Sequence, residues 1–153
     1  PTAATYTPGA SRNDHMRVRF SEILERLDDV KAGGKTALID HRSPEEYRGE
    51  RVNMTGAPNV GAERAGRIPG AKHLYFDELL NDDMTFRDEA ELRGLLEGVG
   101  ATPDKDVISY CRLSHRATLC YFTMTQLLGY DSVRSYDGSW TEWGSLVGVP
   151  IEK

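Results

Sequence analysis

The chain has 153 residues, of which 39% are hydrophobic and 28% charged, and its formal net charge is −5 at pH 7. These values predict one globular domain and argue against broad electrostatic binding to nucleic acid or to an anionic membrane. The two cysteines are too few for a disulfide framework, which favours a reducing compartment. With neither a membrane-span pattern nor a signal-peptide pattern in the sequence, we expect a cytoplasmic protein without membrane contacts.

The chain opens with "PTAATYTPGASRND", a stretch rich in Pro, Ala, Thr and Gly that is typical of a linker. We therefore expect an N-terminal arm over residues 1–18 and a folded domain over residues 19–153. The absence of an initial methionine favours a further segment upstream, so that this domain would be one part of a longer protein.

The first half of the domain alternates helix and strand patterns. "SEILERLDDV" predicts an amphipathic helix with Ser21 as its N-cap, and "GGKTALID" predicts a strand that ends at Asp40. "SPEE" is a capping box in which Ser43 and Glu46 cap each other's backbone, and we expect Glu46 to face solvent. Residues 51–66 are polar and rich in glycine, which predicts a surface loop.

The second half continues the alternation. A strand is expected near residues 72–75, a helix capped by Asp88 follows, and "DVISY" predicts the third strand. "RATLCYFTMTQLLGY" predicts a helix closed by Gly129, and "DSVRSY" predicts the fourth strand. In "SWTE" we expect Ser139 to cap a last short helix. Repeated strand–helix units predict a parallel sheet covered by helices on both faces.

Cys111 lies at the junction between the third strand and the helix that follows it. Ligand sites of parallel α/β sheets lie beyond the carboxyl ends of the strands, so Cys111 and Arg42 are expected at the same edge. The unpaired N–H groups at the start of the helix, together with Arg112 and Arg116, favour a thiolate or a bound oxyanion there. A buried core cysteine beside solvent-exposed arginines is the structural alternative.

The spacing of cysteine and arginine separates two chemistries. Cysteine phosphatases have five residues between the cysteine and the arginine, whereas only four separate Cys111 from Arg116. The tighter loop suits a small group on the sulfur, such as a persulfide, better than a full phosphate.

The sequence resembles the rhodanese family of sulfurtransferases from about Phe20 to its end. The resemblance rests on "LIDHRSPEEYRGE", "GRIPGAKHL", "YCRLSHRA" and "YDGSWTEWG", which occur in the family's order. It implies the rhodanese-like three-layer α/β fold, with a mainly parallel central sheet of four to five strands. The last motif is typical of the catalytic C-terminal half of two-domain thiosulfate sulfurtransferases, which implies an N-terminal rhodanese-like domain upstream.

The resemblance also implies a ping-pong reaction. Cys111 would take the outer sulfur of thiosulfate as a covalent persulfide, without a further cofactor, and pass it to cyanide, a thiol or a thioredoxin-like protein. The alternatives are a mercaptopyruvate sulfurtransferase, a cysteine phosphatase or arsenate reductase on the same fold, and a non-catalytic binding module. The cysteine and its arginines argue against the last.

Residue by residue, the resemblance assigns catalysis to Cys111 and structural support to Asp40 and Ala117. Ser114 stands where many family loops have glycine: if this position requires a positive φ, serine is strained there, and otherwise the loop differs locally. Leu113 stands where some members have lysine, and His115, whose imidazole can change charge near neutral pH, is a substitute cation. The residues implied in substrate binding are Arg42, Arg112, Leu113, Ser114, His115, Arg116 and Trp140.

Cys120 lies on the apolar stripe of the helix after Cys111, and we expect a core position for it. Trp140 is expected either to form an apolar wall of the site or to pack in the core. The histidines show no metal-ligand spacing, so no metal site is predicted.

Overall fold

The computed structural model describes residue 5 and residues 13–153. Most of the arm expected over residues 1–18 lies outside the described residues, but its last part runs beside the sheet, where the Val18 N–H donates to the Ser135 carbonyl (3.0 Å). Within the described residues, no helix is both long and apolar enough to cross a membrane.

The described residues contain four strands and six α-helices. The strands are β1 (Thr36–Asp40), β2 (Lys72–His73), β3 (Asp106–Tyr110) and β4 (Val133–Ser135). The helices are α1 (Phe20–Glu25), α2 (Leu27–Lys31), α3 (Pro44–Tyr47), α4 (Glu89–Gly98), α5 (His115–Phe122) and α6 (Ser139–Trp143). Short 3-10 turns lie at Asp14–Met16 and Phe76–Leu79, and a π-helical turn at Thr123–Leu127 continues α5.

The sheet is parallel throughout, with the strand order β2-β1-β3-β4. In the register of the two central strands, Asp40 lies opposite Tyr110. The His41 N–H extends this pairing by donating to the Tyr110 carbonyl (2.9 Å). The carboxyl ends of β1 and β3 are therefore neighbours, as the sequence predicted for Arg42 and Cys111.

Alternation along β1 divides the core into two layers. Leu38 packs with residues of α1, α2 and α6, whereas Ala37 and Ile39 pack with residues of α4 and α5. A strand buried on both faces is what helices covering both sides of a parallel sheet require. The predicted three-layer rhodanese-like α/β fold is confirmed.

Several local predictions are confirmed, and two helix predictions need correction. Ser43 accepts from the Glu46 N–H, and Gly129 has a φ of +69° after the π-helical turn. The first predicted helix is broken into α1 and α2 at Arg26. Ser21 is not the N-cap of α1, because Arg19 occupies that position and its N–H donates to the Glu22 carboxylate (2.9 Å).

Candidate active site

The loop of Cys111–Arg116, here called the cysteine loop, joins β3 to α5 at the carboxyl edge of the sheet. Cys111 follows the last residue of β3 directly and is only 1% exposed. A thiolate or persulfide in so buried a position needs hydrogen-bond donors in place of water. The backbone of the loop is the nearest source of such donors.

Ser114 adopts the left-handed conformation, with a φ of +65°, so the first of the two alternatives applies: the position has a positive φ, and serine is strained there. Its side chain is buried, and its Oγ shares a hydrogen bond with the Ser135 Oγ (2.9 Å). The strain of a non-glycine residue in this conformation is of the order of 1 kcal/mol, and the hydrogen bond to β4 offsets it.

Ser139 fixes the two ends of the bend in the cysteine loop. Its Oγ accepts from the N–H groups of Cys111 (3.2 Å) and Ser114 (3.1 Å) and donates to the Tyr136 carbonyl (2.8 Å). The prediction that Ser139 caps α6 is wrong: Gly138 is the N-cap, and Ser139 is the first residue of the helix. Ser139 has a left-handed φ of +50°, and its hydroxyl bonds the cysteine loop instead of the first turn of α6.

The start of α6 binds the carbonyl side of the same loop. The Trp140 N–H donates to the Cys111 carbonyl (2.9 Å), and the Thr141 N–H donates to the Arg112 carbonyl (3.1 Å). Together with Ser139, these contacts hold the first residues of the loop against α6. The segment "YDGSWTEW" is therefore the support on which the loop rests.

These bonds leave a set of backbone donors free beside the sulfur. Among the hydrogen bonds of residues 13–153, none uses the N–H groups of Arg112 or Leu113. His115 and Arg116 are the first two residues of α5, where N–H groups have no intrahelical partner. A loop with four unpaired N–H groups can hold a small anionic group on Cys111.

Arg116 is neutralised by a carboxylate. Its guanidinium forms a two-pronged ion pair with Glu46, with distances of 2.7 and 2.9 Å. Glu46 is fully buried, so the expectation that it faces solvent is wrong, although its capping bond to the Ser43 N–H (3.0 Å) is confirmed. Burial opposes the charge of Arg116, but the hydrogen bonds that it donates to the Glu46 carboxylate raise its pKa above the ordinary value. Substrate binding by Arg116 stays a prediction.

Arg42 is also neutralised, and it is fully buried. Its Nη2 donates to the Asp40 carboxylate (2.6 Å) and to the Gly66 carbonyl (2.7 Å), and its guanidinium lies 4.4 Å from the Trp140 ring centre. The Tyr110 hydroxyl donates to the same carboxylate (2.7 Å). Burial opposes ionisation of Asp40, but Arg42 keeps its pKa below the ordinary value. These contacts join Asp40 to Arg42 and to the last residue of β3, while the supporting role of Asp40 and substrate binding by Arg42 stay predictions.

His41 adds no charge to this edge of the sheet. Its ring is fully buried, and its Nδ1 lies 2.8 Å from the Leu74 carbonyl. Burial lowers the pKa of His41 to about 4, so the imidazole is neutral at neutral pH.

Arg112 differs from the other two arginines. Its Nη2 donates to the Val60 carbonyl (2.9 Å), and no carboxylate pairs with it among the residues that the structure describes. Its Nε is buried and has no hydrogen-bond partner there. Of the three arginines predicted to bind substrate, Arg112 alone keeps an uncompensated charge.

The other predicted site residues are spread over the loop and its supports. Leu113 is 42% exposed at the tip, and His115 is exposed at the start of α5. Ala117 is buried, and its carbonyl accepts from the Ser109 Oγ (3.2 Å), which is a supporting contact. Cys120 lies in the core, as predicted, and burial raises the pKa of its thiol well above the ordinary value.

Trp140 serves the core and the site at once. Its ring is fully buried beneath Arg42, and its Nε1 donates to the carbonyl of Arg64 (3.0 Å), which lies in the 51–66 loop. The packing role expected for Trp140 is confirmed, and its role as a wall for substrate stays a prediction.

Comparison with known proteins extends this description. The family described as "Rhodanese-like domain" matches residues 21–146. The sulfur carrier protein TtuD of Thermus thermophilus is 48% identical over 153 residues, which cover 97% of this chain and 53% of that protein. A Haloferax volcanii protein named "Putative thiosulfate sulfurtransferase" is 46% identical, covering 88% of this chain and 47% of that protein. The chain therefore spans about half the length of these two relatives.

A similar solved structure is a persulfide form of EanB in a tetrahedral intermediate state with ergothioneine. It matches with a TM-score of 0.80 and 26% identity, covering 99% of this chain and 36% of that one.

Proposed function

The chain belongs to the rhodanese family, and we propose that it is a thiosulfate sulfurtransferase whose Cys111 carries the transferred sulfur. The observation that carries this proposal is the set of unpaired N–H groups around Cys111. They suit a persulfide, which places one small, anionic sulfur atom inside the loop. Both curated relatives bear names that refer to sulfur transfer or sulfur carriage, which supports the same chemistry.

The first half-reaction forms the persulfide. The Cys111 thiolate attacks the outer sulfur of thiosulfate, a bond forms between the two sulfur atoms, and the bond from the outer sulfur to the sulfonate breaks. Sulfite leaves with that electron pair, so the three negative charges of the reactants remain in the products. The loop N–H groups stabilise the charge that stays on the bound sulfur.

The second half-reaction releases the sulfur to an acceptor. Cyanide attacks the outer sulfur of the persulfide, thiocyanate leaves, and the Cys111 thiolate is regenerated. A thiol or a thioredoxin-like protein would attack in the same way. The sulfur-carrier name of the Thermus thermophilus relative favours a protein acceptor, and the length of both relatives favours an upstream domain in the whole protein.

Phosphatase or arsenate reductase chemistry is less well supported by this site. A phosphate would need a charged arginine to close over it, but Arg116 is engaged by Glu46 through both prongs of its guanidinium. A phosphate enclosed by the loop would therefore compete with a buried carboxylate for Arg116, whereas the sulfonate of thiosulfate can use Arg112, which has no carboxylate partner among the described residues. A persulfide avoids this competition because the loop amides are sufficient to hold it.

The test is the intact mass of the protein after cyanide treatment and after a later addition of thiosulfate. We expect a gain of one sulfur atom, located on Cys111 by peptide mapping and removed again by cyanide as thiocyanate. Cys111→Ser should gain nothing, while the matched variant Cys120→Ala should gain the sulfur as the wild type does. Failure of the wild type to gain sulfur from thiosulfate, or loading of the Cys111→Ser variant, would contradict the proposal.

A further inference from the structure

The 51–66 loop holds the side chain of Arg112 through its backbone. The Val60 carbonyl accepts from Nη2 (2.9 Å), and the guanidinium lies directly over Gly61. A Cβ added to Gly61 would lie 2.9 Å from Cζ and 3.1 Å from Nε, and closer still to Nη2. The absence of a side chain at this position therefore makes room for the guanidinium.

The loop is fixed behind this contact and cannot easily move away. The Arg64 side chain donates to the carbonyls of Gly144 (3.3 Å), Trp143 (3.3 Å) and Val149 (3.2 Å) and also bonds the Leu146 carbonyl. These acceptors lie at and beyond the end of α6, the helix that supports the cysteine loop. If space at Gly61 were filled, the flexible end of Arg112 would move before the anchored backbone did.

The fixed guanidinium has unused donors. Val60 occupies Nη2, while Nε is buried without a partner among the described residues. A buried guanidinium N–H without an acceptor costs free energy that an oxyanion would recover. Arg112 directly follows Cys111, and the resemblance to the rhodanese family assigns this arginine to substrate binding.

We propose that Val60 and Gly61 are positioning residues for the sulfur donor, because they hold in place the guanidinium of Arg112, the arginine of the cysteine loop that has no carboxylate partner among the described residues. The inference rests on the proposed function and adds to it the two residues of the 51–66 loop that position Arg112 for the donor. Holding Arg112 by a backbone carbonyl and a glycine gives the 51–66 loop a part in donor binding alongside the cysteine loop.

The test compares Gly61→Ala with Gly56→Ala. Both glycines lie in the same loop with positive φ (+117° and +88°), but no atom lies within 4 Å of a Cβ at Gly56, so this variant pays the backbone strain alone. We expect Gly61→Ala to raise KM for thiosulfate about tenfold relative to Gly56→Ala, the loss of one charge-assisted hydrogen bond. Discharge of the preloaded persulfide by cyanide should keep its rate, because cyanide has no sulfonate oxygen for Arg112 to bind.

The same pair of variants in an Arg112→Ala background completes a double-mutant cycle. There, Gly61→Ala and Gly56→Ala should have equal KM values for thiosulfate, since no guanidinium remains to be displaced. Three results would each overturn the proposal. They are equal KM values of Gly61→Ala and Gly56→Ala in the chain that keeps Arg112, slower discharge by cyanide in Gly61→Ala alone, and unfolding of Gly61→Ala alone. Failure of the proposed function is distinguishable, because the wild type itself would then take no sulfur from thiosulfate.

Discussion

The ends of β1 and β3 lie side by side at one edge of the sheet, and each is followed by residues with strong charge or reactivity. At the end of β1, Arg42 is buried and paired with Asp40, and His41 is neutral. At the end of β3, the cysteine loop keeps unpaired N–H groups beside Cys111. At the β1 end Arg42 has a buried counter-charge, although its Nη1 has no hydrogen-bond partner among the described residues, whereas Arg112 at the β3 end has no carboxylate partner among them.

The difference teaches that cations near a reactive residue need not be its ligands. Arg42 and Arg116 both occupy the expected region, but each has a buried carboxylate of its own. The β1 end supports the β3 end instead, since Tyr110, the last residue of β3, donates to the carboxylate that binds Arg42. The backbone donors left free by this arrangement carry the proposed chemistry.

Replacing Asp40 with Asn should produce the largest effect on stability. The substitution leaves the Arg42 guanidinium buried without its counter-charge, and breaking such a pair costs about 3–5 kcal/mol. Urea unfolding at pH 7 would measure this loss as a lower transition midpoint.

Asp106→Asn is the matched control for this prediction. Like Asp40, Asp106 pairs with arginine, in its case with both Arg26 and Arg134. It lies at the opposite end of the sheet, and its side chain is 24% exposed. Water can replace part of its contacts, so the loss should be clearly smaller. Equal losses of stability for Asp40→Asn and Asp106→Asn would mean that the fully buried pair of Asp40 and Arg42 stabilises the fold no more than a partly exposed ion pair does.

Much of the fold could be predicted from the sequence because its signals are local. Apolar strands alternate with amphipathic helices, and Ser43 and Asp88 form capping boxes as their spacing predicts. The break at Arg26 was not predictable from periodicity, because α1 and α2 keep the same apolar face on either side of it. The break coincides with an ion pair between the side chain of Arg26 and Asp106, the first residue of β3, which lies 80 positions away in the sequence.

The residues at the site could be predicted from the sequence, but the contacts between distant residues that hold the site together could not. The position of Cys111 between a strand and a helix follows from nearby residues, whereas only the resemblance to the rhodanese family raised the question of a positive φ at Ser114. The pairing of Glu46 with Arg116 joins residues 70 positions apart, and nothing near Glu46 in the sequence indicates it. Ser139 fits the sequence pattern of a helix N-cap, and that local pattern gave no indication of its bonds to Ser114 and Cys111, which lie 25 and 28 positions away.

Replacing Ser139 with Gly should have the next largest effect, mainly on activity. Glycine accepts the positive φ of this position but removes the acceptor of the Cys111 and Ser114 N–H groups. Two buried donors lose their partner, which should cost about 1–3 kcal/mol of stability and reduce kcat/KM for thiosulfate by about tenfold to a hundredfold.

Ser135→Ala serves as the control for Ser139→Gly. It removes the hydroxyl that bonds the Ser114 side chain, but it leaves both loop N–H groups bonded to Ser139. Its effect on the rate of sulfur loading from thiosulfate should be much smaller. Comparable loading rates for the two variants would mean that Ser139 does not organise the loop.

Replacing Ser114 with Gly should have the smallest effect, because two contributions oppose each other. Glycine relieves the strain of a φ of +65°, but the variant loses the hydrogen bond to Ser135 and gains freedom in the unfolded chain. The net change in the free energy of unfolding should stay within about 1 kcal/mol, measured by urea unfolding, and sulfur loading should persist because the Ser114 N–H still reaches Ser139. A loss of loading as large as that of Ser139→Gly would instead show that the Ser114 hydroxyl, and not the loop backbone, determines how Cys111 holds sulfur.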